Sequence, residues 1–169
     1  GGEGLCGGRE SRRPRSRGQR GQRVSVLEAR GTAGDGTCTV DAEEADRREL
    51  SPDGVAAVVA DPSLAGWSGF GLAIQAYQKR ASAVIDYVDE LARRLDRRLM
   101  VRLVKGAYWD TEIKRAQERG LDGHPVLTRK AMTDLNYITC AKKLLALRPR
   151  LFPHCATPNS PTVATLPDL

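Results

Sequence analysis

The segment LMVRLV, residues 99 to 104, constrains the fold more than any other stretch. Five apolar residues and one arginine, bounded by Arg97-Arg98 and Lys105-Gly106, are too few for a core helix and read as a buried strand. On both sides of it the apolar residues recur at helical spacing instead. Ala81, Val84, Ile85, Val88, Leu91, Ala92 and Leu95 give the inner face of a helix over about 80–95, with Lys79, Arg80, Asp86, Asp89, Glu90, Arg93 and Arg94 on the wet side. After Gly106 the pattern predicts a short helix from about Asp110 to Arg119, closed by Gly120, and a longer one from about Val126 to Leu147. In the longer one Ala131, Leu135, Ile138, Ala141, Leu144 and Leu145 make the buried side. Two more strands are predicted at about 70–75, following the turn GWSG, and at LFPHCAT, 151–157, where Pro153 suits the first part of a strand better than its middle. Ser51-Pro52 opens a helix over about 52–60 that Asp61-Pro62 ends, and another helix begins near Pro161. Strands separated by whole helices cannot be joined as hairpins. They require parallel crossovers, and the fold class is α/β.

Pattern alone leaves a doubly wound sheet and a closed barrel both open. No G-x-G-x-x-G follows a credible strand and no G-x-x-x-x-G-K-[ST] occurs, so the phosphate-cradling loops of dinucleotide and P-loop folds are absent. Polar residues gather where strands end: Asp41 after Thr39-Val40, Gln75 after GLAI, Arg102 and Lys105 in and after LMVRLV, Thr157 and Asn159 after the last strand. Functional side chains at the ends of successive parallel strands describe the active face of a (β/α)8 barrel. A complete barrel takes roughly 250 residues, and the 169 here supply about half the strands.

Composition matters because it is uneven. The chain has 27 Lys+Arg against 21 Asp+Glu, net +6, yet residues 1–38 hold 8 arginines, 4 acids, 10 of the 17 glycines and no aromatic residue. That segment reads as a disordered, basic Gly/Arg-rich arm, because RESRRPRSRGQRGQR has no apolar face to offset the entropy of ordering it. A basic arm can bind phosphate backbones by charge, which makes a nucleic-acid-binding module one alternative, but the aromatic residues that stack on single strands are missing. No run approaches the roughly 18 apolar residues of a membrane span, and no export signal is recognisable. Cys6, Cys38, Cys140 and Cys155 have no close-pair ligand spacing, and His124 and His154 read as surface or loop residues, so no metal site is expected. Cys140 reads as a small buried hydrophobe.

From Asp41 to about Val163 the chain resembles the proline dehydrogenase domain of the bacterial bifunctional proline utilisation protein, which joins that flavoenzyme to a glutamate-semialdehyde dehydrogenase. The similar blocks are DAEEADRRELS at 41–51, LAGWSGFGLAIQAYQKR at 64–80, RRLMVRLVKGAYWDTEIKRAQ at 97–117, TRKAMTDLNYITCAKKLLA at 128–146 and CATPNSPTVA at 155–164. The resemblance implies a partial (β/α)8 barrel over residues 39–169, approximately barrel strands three to six. It implies FAD-dependent oxidation of L-proline to pyrroline-5-carboxylate, the first step of proline catabolism, with electrons passing to a membrane quinone. It implies a cytoplasmic, often homo-oligomeric protein that is peripherally membrane-associated during turnover.

The same resemblance assigns roles residue by residue. Asp41 ends barrel strand three on the substrate side and helps hold the arginines that clamp proline's carboxylate. Gln75 hydrogen-bonds the flavin ring, and Arg102 stands beside flavin N5, where a fixed cation stabilises developing charge. Lys105, Gly106, Ala107 and Tyr108 form the loop after barrel strand five, Gly106 allowing close backbone approach, and Tyr108 and Trp109 line the proline and cofactor pocket. Thr128, Arg129 and Lys130 approach the adenosine half, and Thr157 and Asn159 contact the cofactor after barrel strand six. Asp41, Arg102 and Tyr108 are thereby the catalytic candidates.

Departures accompany the match. Where the family has alanine-threonine-histidine-asparagine, this chain has Ala156-Thr157-Pro158-Asn159, and proline offers neither imidazole nor backbone donor. Residues 1–38 do not resemble the preceding family stretch, and their bias is that of a shifted reading frame in GC-rich coding sequence, a sequence artefact. The paired arginines that grip the carboxylate have no counterpart, so the isolated fragment is expected to be inactive, and a non-catalytic α/β fragment is the other alternative. For the basic arm the expected outcome in hydrogen exchange is unprotected amides from Arg9 to Arg30; uniformly slow exchange there contradicts its disorder.

Overall fold

The computed structural model describes residues 37–40, 52–157 and 164. Four strands form one sheet in the order β1-β2-β3-β4: β1 is Cys38–Val40, β2 Phe70–Gln75, β3 Leu99–Val104 and β4 Leu151–Cys155. Every pair is parallel, with Cys38 opposite Phe70, Gly71 opposite Met100 and Leu99 opposite Leu151. The helices are α1 (Pro52–Val59), α2 (Ala81–Arg94), α3 (Trp109–Glu118) and α4 (Lys130–Ala146), and a short 3-10 turn, Pro62–Leu64, follows α1. This is a partial parallel α/β barrel-like sheet, as the alternation of periods in the sequence predicts.

Period two in the strands and period 3.6 in the helices meet on one face of the sheet. Leu72 and Ile74 of β2, Leu99, Val101 and Leu103 of β3, and Leu151 of β4 join Ile85, Val88, Leu91 and Ala92 of α2 and Tyr137, Cys140, Ala141 and Leu144 of α4 in a single core. Side chains of Leu or Ile buried this completely each contribute about 1.5–3 kcal/mol relative to exposure. The intervening strand residues, Ala73, Gln75, Met100, Arg102, Phe152 and His154, fall on the opposite face. That face carries no core helix, and Phe152 is 60% exposed on it.

Local chemistry sets the element ends. Asp96 closes α2 with φ 46°, a left-handed conformation that Asp tolerates, and the Arg97 amide reaches back to the Ala92 carbonyl at 2.8 Å. Gly120, at φ 62°, closes α3 as predicted, with the Leu121 amide donating to the Ala116 carbonyl.

The structure corrects the sequence reading in three places. The long helix begins at Lys130, four residues later than predicted, because the backbone of residues 125–127 is already committed elsewhere. Lys79 N–H donates to the Pro125 carbonyl at 3.1 Å, Leu127 N–H donates to the Tyr77 carbonyl at 2.7 Å, and Val126 bridges Gln78 antiparallel. The buried face of α4 is also rotated from the one expected. Ala131 and Leu135 are exposed, Leu135 at 57%, Ile138 and Leu145 are half-buried, and Thr133 and Tyr137 take the inner positions beside Ala141 and Leu144. A tyrosine with its ring in the core outcompetes a leucine at the neighbouring stripe. Finally, β4 stops at Cys155 rather than Thr157, with Pro153 in its middle, opposite Val101. The missing donor is tolerated there because β4 pairs only with β3 among the described strands.

Ser51 and all but Ala164 of the helix expected near Pro161 lie outside the described residues, as does residue 1 to 36 of the basic arm. Cys38, the last residue of the 1–38 segment, is the first residue of β1. Both lateral edges of the described sheet offer unpaired backbone groups. The expected outcome in sedimentation velocity is concentration-dependent association of the 169-residue chain; a strict monomer with one sharp unfolding transition contradicts it.

Candidate functional site

Parallel strands bring their C-terminal ends to one edge, and the predicted site residues follow. Gln75, the last residue of β2, is buried and lies opposite Val104 in the adjoining strand. Arg102 sits inside β3, half-buried on the open face, with Ala73 in register on one side and His154 on the other. Immediately past β3, the Lys105 carbonyl accepts the Tyr77 amide at 2.8 Å, which joins the loop after β2 to the loop after β3.

Lys105 is anchored on α4. Its ammonium donates to Asp134 Oδ1 on α4 and lies 5.8 Å from the centre of the Tyr137 ring. Lys130, at the head of α4, donates to the other carboxylate oxygen, Oδ2, at 2.9 Å. The hydrogen bond from Lys105, then that from Lys130, holds the Asp134 carboxyl below the ordinary carboxylate range.

Gly106 has φ 121°, and a Cβ there would stand 2.2 Å from Cδ1 of Tyr77. The close approach this glycine permits within the chain is therefore to an aromatic ring from the neighbouring loop. Ala107, Tyr108 and Trp109 are exposed beyond it, at 38% for Tyr108 and 39% for Trp109, and the Trp109 indole donates to the Leu127 carbonyl at 2.8 Å. That bond brings Thr128, Arg129 and Lys130, all exposed, to the same end of the sheet, where Lys130 opens α4. Thr157, half-buried, follows β4, whose neighbouring Ala156 amide still donates to the Leu103 carbonyl at 2.9 Å. Asp41 and Asn159 lie outside the described residues.

Three contributors escaped the sequence reading. Asp134 is an acid four residues after Lys130 on a helix, a spacing that usually marks a surface pair; its contact with Lys105 spans 29 residues and leaves no local signal. Asn136 donates to the Ala76 carbonyl at 2.8 Å and so fastens the loop after β2 to α4. Tyr77, almost fully buried, shapes Gly106's surroundings. His154 is exposed on β4 and His124 lies in a loop, as expected of both.

Among the described residues no group of three His, Cys, Asp or Glu side chains could hold a metal ion, and no helix is long and apolar enough to cross a membrane. Cys140 is fully buried, and burial pushes its thiol up.

A family model described as proline dehydrogenase matches residues 11–169, and this corrects the expectation that the whole of 1–38 is unrelated to the family. The chain is 58% identical over 127 residues to the bifunctional protein PutA of Salmonella typhimurium and 52% identical over 128 residues to that of Rhizobium meliloti. Each match takes in 75% of this chain but 10% of the relative, so the chain spans about a tenth of the length of the curated proteins it matches. Among solved structures, a variant of Bradyrhizobium japonicum proline utilization A superposes with a TM-score of 0.84 at 71% identity, over 90% of this chain and 16% of that one. The proline utilization A of Bdellovibrio bacteriovorus gives 0.73 at 34% identity, over 77% and 14%. With its parallel sheet and these matches in agreement, the chain belongs to the proline dehydrogenase family.

Proposed function

We propose that this chain supplies one wall of an FAD site in which L-proline is oxidised to pyrroline-5-carboxylate. The observation that carries the reading is the placement of Gln75 and Arg102 on the same face of adjacent parallel strands, with Lys105 just past the end of the second, in a member of this family. Their chemistry fits the group. An amide can pair with the donor and acceptor edge of an isoalloxazine ring, and cations suit a ring that gains negative charge on reduction. When bound, FAD supplies the acceptor for the hydride that leaves the ring carbon next to proline's nitrogen.

The protein's part is positional. Gln75, buried at the strand end, orients the ring edge through its carboxamide. Arg102 holds a fixed positive charge where negative charge develops, and a preorganised donor of that kind needs no solvent reorganisation. Lys105 is pinned by Asp134, so the backbone of residues 105–107 presents a defined surface. Tyr108 and Trp109, exposed on the same loop, offer apolar walls for the pyrrolidine ring, and the Trp109–Leu127 bond limits their movement. Arg129 and Lys130 with Thr128 stand at the N-terminus of a 17-residue helix, a setting that suits the phosphates of the adenosine half. Thr157 follows β4 at the same end of the sheet, and in the sequence Asn159 comes two residues later and Asp41 directly after β1, where it is read as an organiser of the carboxylate clamp. A membrane quinone as final acceptor, an oligomeric assembly, cytoplasmic location and membrane contact during turnover belong to the same reading of the larger relatives.

In a longer polypeptide carrying these residues, Arg102→Ala is expected to slow flavin reduction by proline by about 2–4 kcal/mol of barrel-site stabilisation, on the order of 30- to 1000-fold, at unchanged FAD occupancy. Unaltered reduction kinetics at full occupancy remove Arg102 from the mechanism. The 169 residues alone are expected not to bleach FAD on addition of proline, nor to reduce a dye acceptor. Four described strands are half of an eight-stranded barrel, and a half-walled site lacks the groups that would align the reacting carbon. Clear turnover by this chain alone refutes that assignment of indispensable groups.

A further inference from the structure

Gln75 owes its place to what holds the backbone just beyond it. Residues 75–78 make a turn closed by the Gln78 amide, which donates to the Gln75 carbonyl at 3.1 Å. The central peptide unit of that turn joins Ala76 to Tyr77 and is gripped at both ends. Its N–H, on Tyr77, donates to the Lys105 carbonyl at 2.8 Å, and its carbonyl, on Ala76, accepts from Asn136 Nδ2 of α4 at 2.8 Å. The preceding peptide is committed as well, because the Ala76 amide donates to the Val104 carbonyl at 2.8 Å. Turning the central peptide breaks two bonds at once, and Ala76 is fully buried, so no water replaces them unless the turn opens.

Asn136 is itself firmly seated. It is half-buried on α4, while the next residue, Tyr137, and Cys140, one turn on, are fully buried. The Cys140 thiol, a weak donor, faces Asn136 Oδ1 at 4.0 Å, which leaves Nδ2 for the turn. Burial pushes that thiol up, so it keeps its proton. A carboxamide meets both demands, accepting with its oxygen and donating with its nitrogen. A second tie of α4, from Lys143 to Ser82 Oγ at 2.9 Å and Asp86 Oδ2 at 2.6 Å, reaches α2 and not the turn.

Resting on the FAD reading above, we infer that Asn136 is a positioning residue of the site, which holds the turn after β2 through the Ala76 carbonyl and so keeps the Gln75 side chain at the flavin edge. Without that donor the carbonyl either turns toward another partner or stays buried and unsatisfied, and both outcomes disturb the residue next to it. Asn136 acts here through Gln75 alone. Its effect is therefore coupled to that side chain and vanishes when the side chain is removed.

The test measures FAD dissociation constants by flavin fluorescence in a longer polypeptide carrying these residues, with thermal unfolding as the check of folding. Asn136→Leu is expected to weaken FAD binding by about five- to tenfold, the size of one hydrogen bond. Asn136→Asp keeps the shape and the acceptor for Cys140 but has no donor; it should show the same loss, and it guards against a packing effect of the leucine. In a Gln75→Ala background, itself weaker in binding, Asn136→Leu should cost nothing further. Lys143→Met, which cuts α4 from α2 instead, should bind FAD as the unaltered protein does. Unchanged affinity in both Asn136 variants, a loss of equal size in the Gln75→Ala background, or an equal loss in Lys143→Met overturns the inference and leaves the FAD site standing. Gln75→Ala that binds FAD as tightly as the unaltered protein, or an unaltered protein that binds none, overturns the FAD reading of Gln75 and the role of Asn136 with it.

Discussion

The parallel pairing of β3 on both of its sides is the constraint on which the rest depends. A strand bonded to parallel neighbours left and right cannot reverse direction locally, so the chain must climb back through helices each time. In this molecule α2 and α4 return on the same side, packed on β2, β3, β4 and each other. One face becomes a core and the other is left for chemistry. The direction of the strands then decides which edge receives Gln75, Lys105 and Thr157, with no further instruction needed from any of those residues.

Much of this was legible because it is periodic. The alternation in LMVRLV and the stripe from Ala81 to Leu95 are local signals, and the corresponding strand and helix agree with them to within a residue or so. The errors share a cause as well. Val126 and Leu127 have helical neighbours in sequence, but Gln78 and Tyr77, some 48 to 50 residues earlier, use their backbone for long-range bonds. Likewise Leu135 looks more like a core residue than Thr133, and only the seating of Tyr137 in the core decides the rotation of α4. Contacts that set helix phase and starting point are tertiary, and a window of sequence does not contain them.

The site divides along the same line. Arg102 could be singled out because a charge interrupts an apolar strand, and Gln75 because it ends one. The residues that fasten the loops beside them were silent. Asp134 and Asn136 flank the buried stripe of α4 on its two margins, and each reaches a group far away in the chain, Lys105 in one case and the Ala76 carbonyl in the other. A helix whose buried stripe supports the sheet thus uses the margins of that stripe to fasten the loops, so packing and loop geometry are set by a single element.

The bond between the Trp109 indole and the Leu127 carbonyl ties together the two ends of the stretch that contains α3. That stretch leaves the strand-end layer and returns to it at nearly the same point, so its contour is decoupled from the spacing between β3 and α4. Closing a loop that is already pinned at its neck costs little more when the loop grows, since the entropic penalty rises only with the logarithm of its length. The exposed residues 117–123 at the far end of this excursion can therefore be lengthened or redecorated while the sheet keeps its register. They are a place where a tag or a reporter domain could be inserted without disturbing the strands or the buried Glu112 and Ala116 of α3.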